Sequence, residues 1–155
     1  MQNAVVAIRL LEAARAAGVQ LSFDAIERGV ATAAWPARLE LLAFADGRRL
    51  LIDAAHNEDG AIALARYLGA HHPERPPLVF GAMRDKDIAA ILAPLIPMVG
   101  PVVVTAPATL RACPPDLLAV TVRTLDPPRA IEIEYDPVHA VERAWAHAPM
   151  ACVAG

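Results

Sequence analysis

Cysteine is scarce in this chain: of 155 residues, only Cys113 and Cys152 carry thiols. They stand apart with no CxxC spacing, which argues against a zinc site and a disulfide framework and suits a reducing cytoplasm. Runs of Lys and Arg are missing too, and the formal net charge is −3. Nonspecific nucleic-acid binding needs clustered cations to neutralise phosphates, so nucleic acid is not an expected partner. The N-terminal stretch MQNAVVAIRLLEAARAAG is interrupted by Arg9, Glu12 and Arg15 at helical intervals. It therefore lacks the unbroken apolar run of a signal peptide or membrane span. No GxSxG elbow, no GxGxxG and no GxxxxGK phosphate loop occurs, and there is no repeat or low-complexity tract.

What remains is an apolar chain, 56% hydrophobic and long enough for one core of ordinary size. Residues 4–17 repeat apolar positions at helical spacing (Val5, Ile8, Leu11), and Gly18 is placed to end that helix. Ser22 can cap a second helix over residues 23–30, with Asp24 and Glu27 suiting the dipole near its start. Leu39 to Phe44 and Arg48 to Ile52 flank Asp46-Gly47, a hairpin signal that makes these strands antiparallel neighbours. Strands and helices then alternate: helix 57–68, strand 78–80, helix 86–95, strand 101–105, helix 115–119, strand 130–135, helix 137–147, strand 150–153. That rhythm predicts an α/β fold with a mostly parallel sheet. Prolines 73, 76, 77, 94, 97, 101, 127 and 128 are expected between elements, where a missing N–H does no harm.

The segment LLIDAAHNEDGAIALARYL, residues 50–68, concentrates the candidate chemistry. An apolar strand ends in Asp53, a polar turn carries His56 and Asn57, and a helix follows. Ligands of open α/β sheets sit outside the carboxyl ends of the strands, so Asp53 and His56 stand on the binding edge. A carboxylate at the end of a buried strand has lost water and needs donors: a ribose hydroxyl pair, a cation or backbone N–H groups. His56 reads equally as a surface turn residue or a site group, and no third ligand at recognisable spacing supports a metal. Asn57, Glu58 and Asp59 read as a helix cap and dipole partners, and the two acids compete with any anion there. In a second unit, residues 78–80 lead through Gly81 into Arg84-Asp85-Lys86-Asp87. Lys86 at that edge is either part of a solvated helix start or a partner for a carboxylate or phosphate. Arg38, after Trp35-Pro36, is a loop residue or a guanidinium that stacks on a ring or binds an anion.

Taken in order, Gln2-Asn3-Ala4, Trp35-Pro36-Ala37-Arg38, Asp53-Ala54-Ala55-His56-Asn57 and Asp85-Lys86-Asp87 resemble the motifs of folylpolyglutamate and dihydrofolate synthases. The family patterns are close to NA, WPGR, DGAHNP and VFG followed by DKD. Ala37 and Ala54 replace usual glycines, which brings the backbone geometry of both turns into question, and Glu58 replaces the usual proline.

The resemblance implies a Rossmann-like Mur ligase C-terminal domain, with helices on both faces of a mostly parallel sheet and an antiparallel hairpin strand at its N-terminal side. Residues 1–34 would be an interdomain helical segment and residues 35–155 the α/β domain. It implies an ATP-dependent, Mg2+-requiring ligase that joins L-glutamate to dihydropteroate or a folate through an acyl phosphate, with charge neutralisation and positioning dominating catalysis. By motif, Asn3 and Arg38 face the ATP base or phosphates, Asp53 the ribose, and His56 is the neighbouring site histidine. Lys86, with Asp85, helps admit glutamate. His56 and Lys86 are the possible catalytic groups. The phosphate loop and Mg2+ ligands are expected in an N-terminal ATPase domain of the same polypeptide. Both ends of the chain read as cut, so it is expected to be a piece of that longer protein, inactive alone. Two alternatives remain: a Mur ligase of peptidoglycan precursors, and a non-catalytic ligand-binding or interaction domain.

Overall fold

The structure, a computed structural model, describes residues 2–155, with side chains from Ala4 onward. It divides into two compact units, Met1–Pro36 and Ala37–Gly155. The smaller unit holds α1 (Gln2–Ala16) and α2 (Phe23–Ala31). Ser22 Oγ accepts the Ala25 N–H at 3.1 Å and starts α2 as its residue type predicts. Arg15 lies over the Phe23 ring at 3.9 Å. An apolar groove of about 560 Å³, lined by Ala7, Leu11, Ile26 and Val30, runs along the two helices.

The larger unit begins with the antiparallel hairpin of β1 (Glu40–Ala43) and β2 (Arg49–Asp53), turned at Gly47 with φ +85°. α3 (Glu58–His71), β3 (Leu78–Phe80), α4 (Ile88–Leu95), β4 (Val102–Val104), α5 (Pro115–Leu125), β5 (Ile131–Ile133), α6 (Pro137–His147) and β6 (Met150–Ala154) follow. The six strands lie in the order β1-β2-β6-β3-β4-β5, parallel from β2 onward. Side-chain alternation sorts them between two cores. Leu51, Leu78, Phe80, Val104 and Cys152 pack with Leu64, Leu92 and Leu118 of α3, α4 and α5. Leu50, Val79, Val103 and Ala151 pack with Ala140 and Ala144 of α6 on the opposite face. The chain moves outward through β3, β4 and β5 with helices on one face. It returns to β6 with α6 on the other, as uniformly right-handed crossovers require. This return inserts β6 between β2 and β3, so the ends of β2, β6, β3 and β4 share one edge.

Three expectations need correction. Pro94 is not between elements; it lies inside α4. It sits in the last turn, so only one intrahelical N–H is lost before the chain tightens into a 3₁₀ turn at Ile96–Met98 that contains Pro97. Helix α5 runs to Leu125 rather than residue 119. Its second half is β-branched, a weak helix signal, but Val122 is buried and Thr121 and Thr124 hydroxyls donate to the Leu117 and Val120 carbonyls. Tertiary burial outweighs propensity here. α4 also starts later than residue 86, at Ile88, because Asp87 Oδ1 accepts the Ala90 N–H and acts as the cap.

Candidate functional site

The turn at residues 37–39 is zipped to the end of β2. Ala54 N–H donates to Ala37 O at 2.8 Å, and Leu39 N–H donates to Asp53 Oδ2 at 2.9 Å. Ala37 N–H donates to Glu40 Oε2 at 2.9 Å. These bonds hold Ala37 (φ +55°) and Leu39 (φ +49°) in the left-handed region, whereas Ala54 adopts an ordinary φ. Of the two glycine replacements, only Ala37 carries strain, about 1–2 kcal/mol for a side chain in that region. Ala37→Gly keeps every bond of the turn, and after glycine's greater entropy cost it is expected to stabilise the fold by about 0.5–1 kcal/mol. Chemical denaturation checks this, and a destabilised variant would contradict it.

Asp53 is 8% exposed, so its charge is nearly sealed off. One of the donors it needs is the Leu39 N–H; among the described residues its other oxygen, Oδ1, receives no hydrogen bond. The carbonyl of Ala54 is the second organising point. Arg38 Nη1 donates to it at 2.6 Å, His56 N–H at 3.0 Å, and His56 Nδ1 lies 2.9 Å away. A carbonyl only accepts, so Nδ1 carries a proton and Nε2 is the ring nitrogen left without a partner among the described residues. Two expected site residues, Arg38 and His56, thus meet on one carbonyl, and the third, Asp53, is its neighbour in the chain. The guanidinium keeps its remaining donors toward solvent. Asn57 caps α3 through Oδ1 to Gly60 N–H at 2.9 Å, as its bland reading required.

Lys86 and Asp85 stand on the same sheet edge but across β6, about 10 Å away at two strand spacings. Lys86 is the only lysine in the chain. Its Nζ lies 3.6 Å from Asp85 Oδ2, and Arg111 Nη2 lies 3.3 Å from Asp85 Oδ1. The Asp85 carboxyl is held below its ordinary range by its own backbone N–H, against slight desolvation, and then by Arg111 and Lys86. Arg111 escaped sequence reading because 26 residues separate it from Asp85 and no spacing pattern links them. Asn3 lies in α1 of the other unit, and its side chain lies outside the described residues. The thiols take no part: burial, with the Asp53 charge, pushes Cys152 up to about 12, and burial also raises Cys113. Among the described residues, no group of three His, Cys, Asp or Glu could hold a metal ion, and no helix is long and apolar enough to cross a membrane.

The fold that carries this turn has known relatives. The family model described as "Mur ligase, glutamate ligase domain" matches residues 37–153. The chain belongs to this Mur ligase family. The matched span coincides with the larger structural unit apart from its last two residues. This Mur ligase domain is 42% identical over 122 residues to the dihydrofolate synthase/folylpolyglutamate synthase of Mycobacterium tuberculosis, a match covering 76% of the chain and 24% of that protein. A solved structure of the Mycobacterium tuberculosis folylpolyglutamate synthase complexed with ADP superposes with a TM-score of 0.78 at 30% identity, over 88% of this chain and 33% of that one. The folylpolyglutamate synthase of Thermotoga maritima superposes at 0.73 and 30% identity over 99% of this chain and 34% of that one. The Mur ligase domain therefore spans about a quarter to a third of the length of these relatives.

Proposed function

We propose that this chain is the carboxyl-terminal domain of an ATP-dependent ligase that adds L-glutamate to dihydropteroate or to a folate. The observation that carries the reading is the meeting of Arg38 and His56 on the Ala54 carbonyl, next in the chain to the buried Asp53 that holds the Leu39 N–H, in a domain of this family. Asp53 Oδ1 is an acceptor of the kind a ribose hydroxyl pair seeks, and its carboxylate is desolvated enough for that bond to count. Arg38, with one N–H fixed on Ala54 O, directs the rest of its guanidinium plane to the base or phosphates, and the motif resemblance assigns Asn3 to the same ligand. His56 Nε2 offers an acceptor beside the ribose. Lys86 meets a glutamate carboxylate. The relatives named above are folate enzymes, and one of them was solved with ADP, which supports folate over a cell-wall precursor as substrate.

In this reading ATP is a substrate: the carboxylate of the pteroate or folate attacks the γ-phosphorus, ADP leaves, and the glutamate amine then displaces phosphate from the acyl carbon. This domain's part is to hold the nucleotide and glutamate and to close over them, excluding water from the acyl phosphate. Mg2+ would be held by the ATPase domain of the same polypeptide, as the motif resemblance implies. Residues 1–34 would link the two domains, and a cytoplasmic location fits the chemistry. The rival reading, a non-catalytic binding domain, needs no such neighbour. The purified chain is expected to bind ADP weakly, because half the site lies elsewhere, and to show no glutamate-dependent ATP consumption. Turnover by the chain alone would overturn the division of labour.

A further inference from the structure

We infer that Arg111 is a second carboxylate-reading residue for the amino-acid substrate, paired with Lys86 across Asp85. The inference rests on the ligase reading and adds to it a specificity determinant.

The two cations sit on the two oxygens of one carboxylate, Arg111 at 3.3 Å and Lys86 at 3.6 Å. Their backbones are fixed far more firmly than a surface ion pair needs. The loops beyond β3 and β4 are laced together: Arg84 N–H donates to Arg111 O at 2.9 Å, Arg84 Nε to Ala112 O at 2.8 Å, and Cys113 N–H to Ala82 O at 2.8 Å. Met83 and Ala112 add a β-bridge, and Lys86 N–H donates to Met83 O at 3.2 Å. On this rigid base the Arg111 side chain is 72% exposed. Exposed ion pairs contribute little to stability, so so much backbone lacing suits a role in presentation better than one in folding.

Charge and donors point the same way. One carboxylate against two cations leaves a local excess of one positive charge in a chain whose net charge is −3. Among the described residues only Nη2 of the Arg111 guanidinium is engaged, at 3.3 Å, which leaves the N–H groups of Nε and Nη1 as further donors. Lys86 at 3.6 Å makes no tight bond to Asp85, so its ammonium donors are open as well. Two cations held apart by a carboxylate match a ligand with two carboxylates. The attacking group of L-glutamate is its amine, so both of its carboxylates remain charged and available, one for each cation. Asp85 acts as a positioning residue that sets their separation.

The test is a titration of the 155-residue chain with L-glutamate, L-glutamine and γ-aminobutyrate, followed by the backbone amide resonances of residues 84–87 and 111–113. The wild-type chain is expected to bind L-glutamate in preference to both analogues, each of which lacks one carboxylate. Arg111→Ala is expected to weaken L-glutamate binding by about tenfold or more and to abolish the preference over one analogue. Arg111→Lys should recover part of the affinity, and ADP binding should be unchanged in both variants. If Arg111→Ala keeps both preferences, this inference falls and the ligase reading stands. If the wild-type chain binds ADP and shows no preference for the dicarboxylate, the paired-cation site falls on its own. If neither ADP nor L-glutamate binds, both readings fall.

Discussion

Asp53→Asn in the proposed ligase is expected to raise the KM for ATP by about tenfold or more and to leave the unfolding temperature within about 3 °C of wild type. The separation of the two effects follows from what each oxygen does. Oδ2 accepts the Leu39 N–H, and an asparagine carbonyl oxygen does the same, so the turn at residues 37–39 stays clamped. Oδ1, which has no bond within the described residues, becomes an amide nitrogen that donates where a ribose hydroxyl must also donate. The loss falls on nucleotide binding rather than on the reacting phosphate, so KM carries it and kcat changes little. Asp53→Ala is the poorer test, because it also strands a backbone N–H held at φ +49°. An Asp53→Asn enzyme with unchanged KM would remove the ribose role.

Arg129→Leu is expected to cost about 3 kcal/mol, roughly 6–12 °C in a domain of this size. Arg129 is mostly buried and serves four groups at the end of the sheet opposite the site. Nη1 donates to Val99 O at 2.7 Å and Gly100 O at 2.9 Å, Nη2 to Ile96 O at 2.9 Å, and Nε to Asp126 Oδ2 at 2.9 Å. Those carbonyls lie where α4 ends and the 3₁₀ turn hands the chain to β4. Removing the guanidinium takes a donor from all three at once. Arg129→Lys should recover only part of the loss, since one ammonium cannot cover a planar fork's three directions. Urea denaturation measures both variants, and a loss below about 1 kcal/mol for Arg129→Leu would contradict the account.

The fold was legible where short-range signals agree. The Asp46-Gly47 turn, the period-2 to period-3.6 alternation after Asp53 and the prolines between most elements each act within a few residues, and strands 78–80 and helix 137–147 fall where those signals put them. Pro94 and the long α5 were misread because burial against the sheet decided them, and burial is a property of the assembled layers. The site shows the same boundary. Asp53 and His56 could be read from their place after an apolar strand, but the donor that satisfies Asp53 comes from Leu39, 14 residues earlier. The Ala54 carbonyl that collects Arg38 and His56 has no side-chain signature at all. Arg111 and Arg129 reach partners about 30 residues away, so only the folded chain identifies them.

Glutamate ligation by the complete polypeptide that contains this domain tests the central claim most directly. With ATP, Mg2+, L-glutamate and either dihydropteroate or a reduced folate, the account predicts one phosphate released for each glutamate joined, and none when either the glutamate or the pterin substrate is withheld. Phosphate release that ignores glutamate, or ligation only to a peptidoglycan precursor, would contradict it.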